Sequence, residues 1–325
     1  MMSDDDLRRS TLAILRADEG AAERDFERAR ALRRERFGDK VFLRAVVEFA
    51  NACANDCLYC GMRRSNGGLV RFQLDDEQVW ELAVRCRDMG VRTFFLQSAE
   101  DAGFPVARLA ALVARITREL GLGVILCVGA KTREDFAALY AAGARKYIIK
   151  HETADTELFA RMKCGQRLAD RLAMLALARE AGFAVGSGAI VGLPGQTVES
   201  LAEDVLLLRR LGVAMASASI FMPHAGTPLA TAPPGDARLG ARFVAALRLA
   251  LPDALIPATS TFEKAFPGEG QYLALQAGAN VVTVNLTPED RKGDFQLYTD
   301  RYFVRLEHAR AVVARAGLAV ATEAM

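Results

Sequence analysis

From residue 41 onward, short apolar or β-branched runs alternate with longer segments whose apolar residues recur at helical spacing. The runs are VFLRAVVEFA (41–50), VRTFFLQS (91–98), LGVILCVG (122–129), ARKYIIK (144–150), FAVGSGAIVG (183–192), VAMASASIFM (213–222), ALIPATS (254–260) and ANVVTVN (279–285). Several intervening segments end on Gly just before the next run, as helices commonly do. Eight strands alternating with helices predict a parallel sheet with crossover helices, and eight is the number that closes a (β/α)8 TIM barrel. We expect the barrel over an open doubly wound sheet. Residues 5–37 are charged, rich in helix formers and free of Pro, which predicts one or two surface helices. The expected organisation is an N-terminal helical extension (1–39), a barrel (40–300) and a C-terminal extension (301–325) packed on it.

Barrel chemistry collects at the C-terminal ends of strands. The segments there are a cysteine loop, QSAED, GAKT, KHETA, GLPGQT, MPHAGTPL, PATST and NLTPED, all polar or glycine-rich. Composition adds exclusions. The 325 residues are 51% hydrophobic with a net charge of +2, so a large core is available and no nucleic-acid partner is indicated. The N-terminus lacks the features of a signal or transit peptide and no run reaches membrane-spanning length, so a cytoplasmic protein with no membrane partner is expected.

Three of the six cysteines, Cys53, Cys57 and Cys60, crowd into NACANDCLYCGMRR directly after the first strand. Pairing would leave one over, so metal ligation fits better than a disulfide. Cys86, Cys127 and Cys164 are scattered and read as small buried hydrophobes. A structural zinc site needs a fourth ligand, and His151 and His224 are remote in sequence. A 4Fe-4S cluster on three thiolates keeps one iron open to bind and activate a small molecule.

C-x3-C-x2-C after strand one of such a barrel resembles the radical S-adenosylmethionine (SAM) superfamily. The segments NDCLYCGMRR, LQSAED, KHETA, GLPGQT, MPHAGTPL, IPATS, GANVV and LTPED followed by QLY are similar, in order, to the FeFe-hydrogenase maturase (HydE-like) branch, with biotin synthase and methylornithine synthase more distant. The resemblance implies one 4Fe-4S cluster on Cys53, Cys57 and Cys60, an electron donor such as flavodoxin or ferredoxin, and SAM split to a 5'-deoxyadenosyl radical. It implies further that Tyr59 covers the cluster near the SAM adenine, that Gln97, Ser98 and Glu100 stand at the SAM amino group, and that Glu152 and Arg171 fix its ribose or methionine end. Gly188 and Gly192 would let backbone approach the adenine. For these glycines a plain strand-to-helix turn, with Thr197 as helix cap, is the other reading. His224 stands between a loop hydrogen bond and a substrate contact.

Two departures from the branch fall where substrate is expected: Lys150 replaces an arginine and Phe295 a tyrosine. Ala130 also replaces an acid, and no cysteine follows Cys164. Lys150, Thr259 and Ser260 would hold a small amino-acid-like carboxylate or a cysteine-ligated iron species, with Phe295 as an apolar far wall; alternatively Lys150 pairs only with Glu152. Two other functions remain open at this level: an amino-acid carbon-skeleton rearrangement of the methylornithine synthase kind, and a zinc-binding scaffold.

Overall fold

The computed structural model describes residues 3–101 and 103–325. All eight expected strands form: β1 (Lys40–Ala50), β2 (Thr93–Ser98), β3 (Gly123–Cys127), β4 (Lys146–Ile148), β5 (Ala184–Val191), β6 (Met215–Ile220), β7 (Pro257–Ala258) and β8 (Val281–Asn285). They lie parallel in the order β6-β5-β4-β3-β2-β1-β8-β7. The ring closes between β6 and β7 through a bridge at Met215 and Leu255, whose backbone groups exchange bonds with Ala214 and Ala216 at 2.9 and 3.0 Å. Past that bridge, side chains replace the ladder: the Thr259 hydroxyl donates to Ala218 O at 3.0 Å, and Ile220 N–H donates to the Thr261 hydroxyl at 2.9 Å. β7 is short because Pro257 has no N–H to contribute. A ninth strand, β9 (Ala319–Val320), was not expected; it pairs with Lys40 and Val41 at the foot of β1.

Alternation along β1 sorts the two layers. Ala45 and Val47 join the core beneath the surrounding helices, while Val46 points inward to meet Phe95, Ile125, Ile148 and Met215 in an apolar ring inside the barrel. Each such side chain contributes roughly 1.5–3 kcal/mol through burial. The helices Asp4–Leu15 and Glu19–Phe37, capped by Ser3 and Asp18, pack Leu7, Ile14, Leu15 and Phe26 against the helices Val198–Arg210 and Ala237–Ala250. No helix among the described residues is long and apolar enough to cross a membrane.

Candidate active site

The cysteine loop is held by its own polar side chains. Asn51, fully buried at the end of β1, donates to Val70 O at 2.8 Å and Asp294 O at 2.7 Å and accepts from Phe72 N–H at 2.8 Å. Arg71 reaches the carbonyls of Asn51, Met62 and Arg63, each at 2.8 Å. Asp56 accepts from the Ser65 hydroxyl and from Arg63, and the Ser65 bonds above all hold its carboxyl at about 2. At Gly61 any Cβ would come within 2.5 Å of Gln296 O and His224 Nε2, so only glycine fits the turn that carries Cys60. Buried Cys57 and half-buried Cys53 and Cys60 then face one cavity. Burial, reinforced by Cys57, pushes the Cys60 thiol up to about 12, so thiolate ligation requires a cation to displace the protons.

That cavity, about 210 Å³, is also lined by Tyr59, Ser98, Glu100, Glu152, Lys163 and Arg171. Arg171, on the helix Leu168–Glu180, donates from Nε to Lys150 O at 2.8 Å and from Nη1 to Glu100 at 2.5 Å. Burial alone would raise Glu100, but Arg171 and Lys163 overcome it and hold the carboxyl at about 2. Burial keeps the Tyr59 phenol well above its ordinary range and therefore neutral. Glu152 has φ +68, a left-handed backbone that a non-glycine residue adopts at some cost. The fold enforces it from both sides: Glu152 N–H donates to Gly188 O at 3.0 Å, and Ile190 N–H to Glu152 O at 2.9 Å. Between Lys150 and Glu152, His151 turns the other way and is buried against Ser187 and Asp204 at 2.9 and 3.0 Å.

A second cavity of about 180 Å³ continues into the barrel and shares Gln97, Cys127, Lys150, Ser219, Leu297 and Tyr298 with the first. Besides Lys150, its charged groups come from β1 and the C-terminal segment. Glu48 forms a two-pronged pair with Arg301. Arg44, 7% exposed, donates from Nε to the Thr283 hydroxyl at 2.8 Å and lies 4.6 Å from the centre of the Phe95 ring. Among the described residues its two terminal nitrogens have neither an ion pair nor a hydrogen bond.

Residues 47–208 match the family model described as "Radical SAM superfamily". The chain is 37% identical over 287 residues, 88% of its own length and 82% of the relative, to "[FeFe] hydrogenase maturase subunit HydE" of Thermotoga maritima. The chain belongs to the radical SAM superfamily. It is also 29% identical to "3-methylornithine synthase" of Methanosarcina acetivorans, over 90% of the chain and 81% of that protein. The solved structure of methylornithine synthase (PylB) superposes with a TM-score of 0.86 at 28% identity, covering 99% of this chain and 94% of that one. This chain is therefore a radical SAM enzyme on a (β/α)8 barrel, and its superfamily typically uses a 4Fe-4S cluster and SAM. The enzyme reading stands over the zinc scaffold.

The residues present fit such cofactors. Three thiols, those of Cys53, Cys57 and Cys60, line one cavity and can supply the thiolates of an iron-sulfur cluster. Glu152 lines the cavity, and its Oε2 has no hydrogen bond among the described residues and lies 3.4 Å from Lys150, so the carboxylate keeps acceptor capacity for a ligand hydroxyl or ammonium.

Not every expected site residue meets this cavity. Gly188 has another duty: a Cβ there would lie 2.0 Å from Ser217 Oγ, so glycine lets β5 and β6 approach. Gly192, at φ +90, faces Gly235, where a Cβ would come within 2.5 Å. Neither lines the two cavities. Thr197 does cap the helix that follows, accepting from Ser200 N–H. Phe295, expected as the far wall, is fully buried with Met62, Leu69 and Ala99 behind the cysteine loop, and Leu297 and Tyr298 line the wall instead. His224 serves the loop, accepting from Gly226 N–H at 2.9 Å and facing Gln296 at 2.9 Å. Thr259 and Ser260 line the inner cavity, Ser260 3.2 Å from the Tyr298 hydroxyl, but Thr259 directs its proton to Ala218 O. Lys150 faces both cavities, 3.1 Å from Ser219 Oγ. Sequence reasoning missed Arg44 and Glu48. Their signal was in LRAVVE, where charges at 44 and 48 share the inward face with Val46.

Proposed function

We propose that the enzyme directs a SAM-derived radical at a small, carboxylate-bearing substrate held in the inner cavity. The observation that carries this reading is Arg44, a buried guanidinium aimed into that cavity with no anionic partner among the described residues. Such a charge is costly to bury unless an anion meets it. When bound, the cluster supplies an electron from a donor such as flavodoxin or ferredoxin, and SAM supplies a 5'-deoxyadenosyl radical. Cys53, Cys57 and Cys60 would hold the cluster. Glu152 accepts from SAM hydroxyls or ammonium, Arg171 presents its remaining N–H groups to the SAM carboxylate, Gln97, Ser98 and Glu100 complete the polar wall, and Tyr59 excludes water. Lys150 and Ser260 contact the substrate from the junction, and Thr259 offers it an acceptor oxygen.

An amino acid or a cysteine-ligated iron species both satisfy this chemistry. The carbon-skeleton rearrangement is favoured as second reading by the near-complete superposition on methylornithine synthase. The test is a panel of amino acids and thiol-bearing carboxylates scored for stimulation of 5'-deoxyadenosine formation. Arg44→Met should weaken the apparent affinity for the stimulating carboxylate by about 10- to 100-fold, the usual worth of a charge-assisted contact, while SAM affinity changes less than about twofold. If no carboxylate stimulates, or Arg44→Met leaves stimulation intact, the reading fails.

A further inference from the structure

Cys127 differs from the other two cysteines outside the loop. Cys86 is fully buried and its thiol donates to Val91 O at 3.4 Å; Cys164 is exposed at a helix end and donates to Arg161 O at 3.5 Å. Cys127 ends β3, in register with Gln97 of β2, and lines both cavities. Its sulfur has no hydrogen-bond partner among the described residues. Cys127 packs on the apolar ring that holds Ile125 one step below, yet it also borders both cavities at their junction.

A second observation points to a ligand beside it. The Arg44 guanidinium, its terminal nitrogens without a partner among the described residues, opens into the inner cavity, whose wall it shares with Cys127. An anion bound at Arg44 therefore extends upward past Cys127 toward the cavity where SAM is proposed to sit. Burial keeps the Cys127 thiol protonated, pushed up to about 11. A protonated thiol is a poor nucleophile and metal ligand, but its S–H bond is weaker than an ordinary C–H bond, which makes it a hydrogen-atom donor to carbon radicals.

Resting on the proposed function above, we infer that Cys127 is a catalytic residue that donates a hydrogen atom to the carbon radical formed in the inner cavity. The S–H bond breaks homolytically and a C–H bond forms on the substrate, leaving sulfur as a thiyl radical. One electron from the low-potential one-electron carrier that charges the cluster, together with one proton from solvent, returns the thiyl to the thiol. The hydrogen placed on the product therefore comes from a solvent-exchangeable position.

The test needs no known substrate, because in its absence the SAM-derived radical is itself the carbon radical confined above Cys127. Reconstituted enzyme is reduced with dithionite in D2O with SAM alone, and the 5'-deoxyadenosine is analysed by mass spectrometry. Most of the wild-type product should carry one solvent deuterium, and the deuterated fraction should fall at least fivefold in Cys127→Ser and Cys127→Ala. Wild-type product without solvent deuterium overturns the inference, as does undiminished deuterium in either variant. Loss of 5'-deoxyadenosine formation in both variants, once folded and cluster-loaded, also overturns it, since a donor acts after SAM is cleaved. Absence of 5'-deoxyadenosine from wild type as well would strike the proposed function instead. A readout independent of turnover is thiol mapping of cluster-free protein with methyl methanethiosulfonate: Cys127 should react more slowly than Cys164 and faster than Cys86, and reactivity as low as that of Cys86 would show that the thiol does not face an open cavity.

Discussion

The two cavities are built from the same strands but manage charge differently. In the outer one the ionic groups brace one another: Glu100 meets Arg171 and, at 4.0 Å, Lys163, while Lys150 stands 3.4 Å from Glu152. In the inner one Glu48 is matched by Arg301, and Arg44 is left over. A set in which every charge has an opposite partner within 4.0 Å suits a ligand that brings both an ammonium and a carboxylate, as SAM does. An unpaired cation suits a ligand that brings an anion to meet it. The cofactor side is thus assembled in advance, whereas the substrate side is completed by what enters it.

The largest expected effect comes from removing what only the outer cavity has. Cys53→Ala, Cys57→Ala and Cys60→Ala should each eliminate the cluster, taking iron and sulfide from about four of each per chain to background after anaerobic reconstitution. Normal iron and sulfide in the triple variant would detach the loop from cluster binding altogether.

Next in size is the brace itself. Arg171→Ala leaves Glu100 part-buried without its main partner, and breaking a buried pair costs about 3–5 kcal/mol. Urea denaturation of the cluster-free protein should register that loss, and SAM affinity should drop roughly tenfold or more with the missing contact. Arg171→Lys should recover part of the stability but less of the affinity, because the ammonium lacks the planar fork. A stability change under about 1 kcal/mol would mean the outer cavity is not braced as described.

What could be read in advance follows the same divide. The barrel was legible because strand-length apolar runs alternate with helical segments, and the cysteine loop because its three ligands are local in sequence. Arg44 and Glu48 were visible as inward positions of VFLRAVVEFA, yet a strand read as one apolar run hides its alternation. The partners were not visible at all: Arg301 lies 253 residues from Glu48, and Asn51 and Arg71 staple the loop through backbone carbonyls, which carry no sequence signal. Gly188 and Gly192 show the converse limit, since a glycine permits close approach without saying to what. Here it is to Ser217 and Gly235.

The brace also has a pH signature. Glu100 is held at about 2 against an ordinary value of 4.5. Its folded-state pKa is depressed, so its contribution is complete above about pH 4.5 and disappears as pH falls toward 2; a shift of this size corresponds to about 3 kcal/mol. The stability difference between wild type and Glu100→Gln should therefore shrink steadily as urea denaturation is repeated from pH 5 downward. A difference that stays constant with pH would assign the loss to altered packing rather than to the charge.

The smallest effect separates the inner cavity from its surroundings. Phe295 was expected to face substrate, which would make Phe295→Tyr a change of substrate preference. In the structure its ring is fully buried with Met62, Leu69 and Ala99, and the Arg301 guanidinium lies 5.4 Å from its centre. A tyrosine hydroxyl there enters an apolar cluster that also touches Cys53 and Cys60, and a buried hydroxyl without a partner costs about 1–3 kcal/mol. The expected outcome is a modest loss of stability and faster release of iron from the loaded protein, with the ranking of stimulating carboxylates unchanged. Tyr298→Phe, on the wall that does line the inner cavity, removes the hydroxyl 3.2 Å from Ser260 and should change that ranking. If Phe295→Tyr altered the ranking and Tyr298→Phe did not, the boundary of the substrate cavity would lie on the other side of Leu297.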